Sequence, residues 1–314
     1  MKRSTTLFLA MLIASVSSVN AADIDSNAGT RGFKFLQVYS SARDASLSGA
    51  TVSNFAPHTS LSSNPAGLAT VDRFGAVGTH AEWLGTIRQE YADVVMPGWG
   101  GGVGIALRTQ SSGDIPLRSV HGEGGYVGVP SPNPSGTYGV YDGAVSVSYG
   151  TFRSGIHWGA NVKYIWEKIY LNSATAWAVD FGAIWKRGDL SVGGAVRNIG
   201  LSGELKNEGV DLPWDVQFGT SYDHRFDDAV IRGMVDFRYA PDWHESAHAG
   251  VELDLNRMLS LRTGYRTAIG AKTEIDGFSY GVGVAYGPIG IDYAYIPTDT
   301  GFGSEHLFTV RVTP

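Results

Sequence analysis

From about residue 74 to the C-terminus, apolar and polar side chains alternate in one segment after another. Such alternation is the pattern of β-strands that have one apolar and one polar face. The clearest segment is 156–166, where Trp158 and Tyr164 share one face and Asn161 and Lys163 share the other. A chain with this pattern folds either as a soluble β-sandwich or as a membrane β-barrel.

Aromatic side chains at the strand ends distinguish these two folds. Several segments begin and end their apolar face with Trp or Tyr, as 214–222 does with Trp214 and Tyr222. In a soluble sandwich the apolar face points to a core. In an outer-membrane barrel it points to lipid, and aromatic girdles mark the two interfaces. The pattern therefore favours a transmembrane antiparallel β-barrel.

The alternating segments predict about fourteen strands, an even number as bacterial barrels require. The predicted strands are 74–84, 88–96, 102–110, 141–149, 154–167, 174–186, 189–197, 214–223, 229–239, 246–255, 259–266, 277–286, 289–296 and 305–313.

Short and long connections alternate between these strands. The short ones are 150–153, 187–188, 224–228, 256–258 and 287–288, and the long ones are 111–140, 198–213, 267–276 and 297–304. Outer-membrane barrels have short periplasmic turns and longer outer loops. The alternation therefore predicts that both ends of the chain face the periplasm.

The N-terminus has the pattern of a secretory signal. Lys2 and Arg3 precede an apolar run at 7–16, and Val19-Asn20-Ala21 forms a small-residue cleavage pattern. The run is too short to span a bilayer, so an uncleaved anchor is the weaker alternative. We expect a signal peptide at 1–21, cleavage after Ala21, and export to the outer membrane of a Gram-negative-type cell.

Composition excludes several classes of function. The chain contains no Cys, which excludes disulfides and thiol catalysis, and its net charge of -6 argues against nucleic acid as a partner. A mean hydropathy of -0.06 is too low for a bundle of membrane helices. Gly is enriched, with 42 residues in 314, about twice the usual share of roughly 7%.

Residues 22–73 differ from the barrel pattern, and we predict that they form a hatch inside the lumen, with the barrel at 74–314. The hatch contains a stretch of small residues, 41–50, that can form a short helix ending at Gly49. Within this predicted helix, Arg43 and Asp44 carry charge. A plug in a barrel would explain why small side chains predominate.

A second hatch motif is Asn64-Pro65-Ala66-Gly67. Pro65 fixes its own φ and pushes Asn64 to an extended conformation, from which the Asn64 side chain can hydrogen-bond nearby backbone. We expect a rigid corner in which Gly67 permits close approach to the barrel wall. A simple turn before the first strand is the alternative.

Phe35-Leu36, the stretch 42–50 and the stretch 63–69 together resemble the N-terminal signature of the PorV/PorQ family of outer-membrane proteins. That family is similar to the FadL long-chain fatty-acid transporters, which share the Asn-Pro-Ala motif. The resemblance implies a fourteen-stranded barrel with a luminal hatch. It also implies partners: proteins of a type IX secretion system or their cargo for a PorV-like protein, and hydrophobic small molecules for a FadL-like one.

Charged side chains fall on the predicted luminal faces of the strands. They include Arg108, Lys163, Arg197, Arg232, Asp236 and Arg262. Buried charges must be paired or hydrated. This set therefore forms either the lining of a wet channel or a network that ties the hatch to the wall.

No pattern in the sequence indicates an enzyme, a cofactor or a metal. His157, His248 and a loop segment with Asp242, His244 and Glu245 have suitable side chains, but no spacing links them to a nucleophile or a ligand set. The main hypothesis is a non-catalytic component of protein secretion or surface attachment. The alternative is a passive transporter for hydrophobic compounds such as long-chain fatty acids, and a barrel hydrolase is the third.

Overall fold

The computed structural model of the chain describes residues 29–83, 86–118, 133–205, 208–242, 245–269, 276–298 and 303–314. The predicted signal peptide at 1–21 lies outside these residues. Within them, fourteen strands form one closed antiparallel barrel. The predicted fold class and strand number are therefore confirmed.

The strands pair in chain order, and the barrel closes where the first strand pairs with the last. At that seam Ala76 lies opposite Val312. The barrel strands are β1 Gly75–Trp83, β2 Ile87–Gly98, β3 Gly101–Leu117, β4 Gly136–Arg153, β5 Ile156–Ile169, β6 Asn172–Arg187, β7 Leu190–Ser202, β10 Asp215–Arg225, β11 Ala229–Tyr239, β12 Ser246–Leu255, β13 Leu259–Ala268, β14 Gly277–Tyr286, β15 Ile289–Ile296 and β16 Glu305–Val312. Outside the barrel, β8 Glu204–Leu205 and β9 Glu208–Gly209 form a small hairpin.

The two faces of each strand differ as the alternation predicts. On β5, Trp158 and Val162 are 47% and 48% exposed, whereas Asn161 and Lys163 are 1% and 7% exposed. The apolar face points outward and the polar face points into the barrel, so the outer surface is an apolar belt and the lumen is mainly polar.

Several strands are longer than predicted. β3 continues to Leu117 and β4 begins at Gly136. Residues 111–117 and 136–140, which were predicted to belong to the loop 111–140, are therefore strand. The predicted turn 150–153 also belongs to β4, and the turn itself is Ser154–Gly155. At 111–114 both faces of β3 lack apolar side chains, so backbone pairing continues where the hydrophobic alternation ends.

The connections divide the barrel into two ends. At one end, which we call the turn end, every connection is two or three residues long: 99–100, 154–155, 188–189, 226–228, 256–258 and 287–288. The opposite end, the loop end, carries 84–86, 118–135, 170–171, 203–214, 240–245, 269–276 and 297–304. The predicted long connections lie together at the loop end, although two of its connections are short.

The hatch crosses the lumen from the loop end to the turn end. Near its start, the Gly32 amide donates to the Asp211 carbonyl in a loop-end connection, at 3.1 Å. Its last residues lead into β1 at the turn end, where Pro314 also lies. The described chain therefore begins and ends at opposite ends of the barrel. The predicted mature N-terminus, 22–28, lies outside the described residues.

Four short helices lie in the hatch: a 3₁₀ turn at Lys34–Gln37, α1 at Ala42–Ser46, α2 at Pro57–Ser60 and a 3₁₀ helix at Pro65–Thr70. Ser41 caps α1, because its Oγ accepts a hydrogen bond from the Asp44 amide at 3.1 Å. α1 ends before the glycine that was predicted to terminate it, and Ser48 and Gly49 both have positive φ. Among the described residues, no helix is both long enough and apolar enough to span a bilayer.

Candidate functional site

The Asn-Pro-Ala-Gly motif forms a corner that is bound to both the hatch and the wall. Asn64 is extended, with φ of -149°, and its Oδ1 accepts a hydrogen bond from the Ala66 amide at 3.1 Å. Its Nδ2 donates to the Val52 carbonyl at 2.7 Å and to the Gly194 carbonyl of β7 at 3.2 Å. One amide side chain thus connects three segments of the molecule.

Glycines on the wall let this corner approach closely. A Cβ on Gly182 would lie 1.9 Å from the Asn64 Oδ1, and a Cβ on Gly159 would lie 2.1 Å from the Pro65 carbonyl carbon. The sequence assigned this close approach to Gly67. In the structure a Cβ on Gly67 would instead meet Ser60, a residue of the hatch itself, at 1.9 Å. That expectation was wrong, because the space is made by the wall.

A carboxylate on β12 joins the hatch helix to the wall. Arg43 of α1 donates two hydrogen bonds to Glu252, at 2.8 and 3.0 Å. The same carboxylate accepts from Arg232 of β11 at 2.6 Å and from Arg262 of β13 at 2.9 Å. Glu252 is 2% exposed, so three guanidinium groups converge on one buried acid.

Two further acids balance these arginines. Arg262 also donates to Asp292 of β15 at 2.6 Å, and Arg232 donates to Asp223 of β10 at 2.6 Å. By contrast, Asp44 of α1 makes no ion pair with a described residue, and burial raises the pKa of its carboxyl to about 6. The predicted pair Arg43 and Asp44 therefore separates into one side chain that binds the wall and one that does not.

Luminal side chains also bind the backbone of the hatch. The Arg108 Nη1 donates to the carbonyls of Phe35, Leu36 and Val38, at 3.0 to 3.1 Å. Asp236 accepts from the Val52 amide at 2.9 Å. These contacts help to satisfy the backbone polar groups of the buried hatch.

The remaining predicted luminal charges divide between hatch and wall. Arg197 donates to the Ser63 carbonyl of the hatch at 3.2 Å and pairs with Asp215. Lys163 binds only wall residues, with Asp180 at 2.7 Å and Asn198 at 2.7 Å. The luminal charges were predicted to form either the lining of a wet channel or a network between hatch and wall. The geometry supports the network.

The lumen also contains apolar clusters in which wall and hatch residues pack together, and the sequence did not predict them. In one of these clusters, near the loop end, inward-facing residues of β4 to β6 and one residue of the connection 203–214 pack around two hatch phenylalanines, Phe33 and Phe35, which are 0% and 1% exposed. We call these wall residues the apolar luminal patch; its members are Ala144, Ile165, Ala174, Ala176, Ala178 and Leu212. The sequence of β6 contained an indication of this patch, because both faces of the strand are apolar around Ala176 and Ala178.

The histidine and acid candidates are not brought together. The His157 ring packs edge-on against Phe55 and at a tilt against Phe152, with ring centroids 4.7 and 4.6 Å away, and His248 contacts the Ser48 carbonyl. Asp242 contacts Lys34 of the hatch, and His244 lies outside the described residues. Within the part of the chain that the structure describes, no cluster of His, Asp and Glu could hold a metal ion.

The fold is similar to that of three transport proteins. The toluene transporter TodX of Pseudomonas putida matches with a TM-score of 0.57 and 12% identity, over 87% of this chain and 96% of that one. The toluene transporter TbuX of Ralstonia pickettii matches with a TM-score of 0.53 and 12% identity, over 91% and 98%. The monoaromatic hydrocarbon channel CymD matches with a TM-score of 0.56 and 10% identity, over 87% and 96%.

No protein-family model matches the sequence, and neither does any curated protein sequence. The structural matches have so few identities that they show the fold alone. The chain therefore has the barrel fold that the FadL resemblance implied, whereas the PorV/PorQ part of the resemblance finds no support among family models.

Proposed function

We propose that the protein is a non-catalytic channel of the outer membrane through which hydrophobic small molecules cross passively. The fold shared with TodX, TbuX and CymD supports this proposal, because those proteins are two toluene transporters and a monoaromatic hydrocarbon channel. The alternative inferred from the sequence is thus preferred to the secretion hypothesis.

The observation that carries the proposal is the apolar luminal patch. In a lumen that also carries many charged side chains, Ile165 and its neighbours offer a surface on which a hydrophobic molecule can be desolvated. Phe33 and Phe35 occupy that surface while the hatch is in place. A hydrophobic compound that enters from the loop end would bind where these two side chains pack.

Uptake of radiolabelled toluene by cells that express the protein tests the proposal. We expect uptake to exceed that of cells with an empty vector, and Ile165→Asn to reduce it several-fold because a buried amide in the patch opposes apolar binding. Ser146→Asn, on the inner face of β4 beside Lys163, is the matched control and should leave uptake unchanged. Equal uptake with and without the protein would contradict the proposal.

The secretion role implied by the PorV/PorQ resemblance stays a prediction. It would require surface or secreted proteins to depend on this chain. Deletion of the gene and comparison of the surface and secreted proteomes tests it, and an unchanged proteome would rule it out.

A further inference from the structure

The outer wall carries a groove that the proposed transport does not use. It runs across β4, β5, β6, β7 and β10 and has a volume of about 550 Å³. Its floor is a diagonal of small outward residues, and its walls are aromatic. We call it the outer groove, with the floor Ala160, Ala183 and Gly194 and the walls Tyr149, Trp158, Phe181 and Phe218.

Strand register explains the groove. Small residues alternate with large ones across neighbouring strands: Ala160 lies opposite Tyr149 and Phe181, and Gly194 lies opposite Ala183 and Phe218. Outward residues of a barrel meet the hydrocarbon of the bilayer. The groove is therefore an apolar slot open to lipid.

The groove is not continuous with the lumen. Gly159 and Gly182 line it, and the other side of the wall at these glycines is covered by the hatch corner, because their Cβ positions would meet Pro65 and Asn64. A molecule in the groove is consequently separated from the lumen by the wall and the corner. This makes a membrane component, rather than a transported compound, the occupant.

Two arginines lie below the groove at the turn end. Arg153 ends β4 and Arg187 ends β6, and both are exposed. Each lies two residues after an outward residue of its own strand, Arg153 after Thr151 and Arg187 after Trp185, so both face outward. Only β5 separates their strands, and the register sets Arg153 level with Trp185, two residues before Arg187. Their backbones therefore lie about 12 Å apart. Long arginine side chains can converge on a phosphate across that distance.

Neither guanidinium forms an ion pair with a described residue. The distance between the arginines and the groove is also suitable. The floor of the groove lies about four residues from the arginines, away from the turn end, which is about 10 Å along the barrel axis for tilted strands. A lipid phosphate held by the arginines would thus place the middle of its acyl chain in the groove.

We propose that the outer groove and the pair Arg153 and Arg187 form a binding site for one anionic phospholipid of the leaflet at the turn end. The arginines hold the phosphate and the glycerol headgroup lies in water. One acyl chain rises past Trp158 and lies on Ala183 and Gly194.

Native mass spectrometry of the detergent-solubilised protein tests the site. Dioleoyl-phosphatidylglycerol and dioleoyl-phosphatidylethanolamine are titrated separately. We expect one phosphatidylglycerol molecule to be retained at a lipid concentration about tenfold lower than phosphatidylethanolamine requires. Replacing both arginines, R153Q with R187Q, should abolish this preference. Gly194→Phe, which fills the floor, should lower retention of both lipids.

Matched controls lie elsewhere on the outer surface. Arg257 is an exposed arginine in another turn at the same end, and Gly233 is an outward glycine of β11 where an added Cβ would have nothing within 4 Å. Arg257→Gln and Gly233→Phe should retain phosphatidylglycerol as the unmodified protein does. Equal retention of the two lipids, or equal retention by all variants, would overturn the proposal. Dimers that disappear in Gly194→Phe would overturn it too, because a second copy would then occupy the groove.

Discussion

At the scale of the residue, Glu252 joins the hatch to three strands of the wall. It lies on β12 and receives hydrogen bonds from the hatch and from two neighbouring strands. A buried carboxylate is tolerated only when its charge is neutralised and its lone pairs are bonded. Here the three guanidinium groups do both.

Replacing Glu252 should therefore loosen the hatch and the wall together. Glu252→Gln leaves Arg43 without its carboxylate partner, and we expect a loss of about 3–5 kcal/mol in the free energy of unfolding. Guanidinium titration of the protein in detergent micelles measures this change. Glu90→Gln is the control, because Glu90 is exposed and pairs with an exposed histidine, so its loss should cost less than about 1 kcal/mol. Equal losses in the two variants would contradict this role of Glu252.

The sequence indicated these charged residues but not their partners. Arg232 and Arg262 were predicted to face the lumen because each falls on the polar face of an alternating strand. Their common acceptor depends on the register between strands, which the pattern along one strand does not contain. Lys163 had the same sequence signal as Arg108, yet only Arg108 reaches the hatch.

At the scale of the element, the 3₁₀ helix at Pro65–Thr70 packs closely against the wall because the facing strand residues are glycines without side chains. Gly159 of β5 and Gly182 of β6 face the helix, and neither position has room for a Cβ. Glycine inside a strand weakens it and often marks the close approach of another backbone. The cost in strand stability is offset here by the contact with the hatch corner.

Adding one methyl group should displace the corner. Gly182→Ala places a Cβ against the Asn64 side chain, and we expect a loss of about 1–3 kcal/mol in stability. Limited proteolysis should then cleave the hatch faster than in the unmodified protein. Gly233→Ala, on the open outer surface of β11, should leave the cleavage rate unchanged. Equal cleavage rates in Gly182→Ala and the unmodified protein would show that the wall does not hold the corner.

The elements were predictable to different degrees. All fourteen strands could be predicted, since a strand in a membrane barrel must alternate over the whole apolar belt. The extension of β3 could not, because residues 111–114 lack apolar side chains on either face. The extension of β7 follows a shift in its register with β6 beside Asn198, and this shift interrupts the alternation. The small hairpin of β8 and β9 has two residues in each strand, too few to show a period.

At the scale of the whole molecule, two surfaces of opposite character follow from one alternating pattern. Most outward side chains are apolar, and many inward ones form polar contacts with the hatch. The path of the hatch was not predictable, since its residues carry no period. Only the contacts of residues such as Gly32 and Asn64 show that it extends from the loop end to the turn end.

The most direct test of this account is the folding of the mature chain, residues 22–314, with and without detergent. Outward apolar side chains require a nonpolar environment, so the chain should become β-sheet rich and migrate faster in unheated than in heated gel samples only when micelles or lipid are present. A folded monomer that stays soluble in buffer alone would contradict the account and require a core in place of the lipid-facing belt.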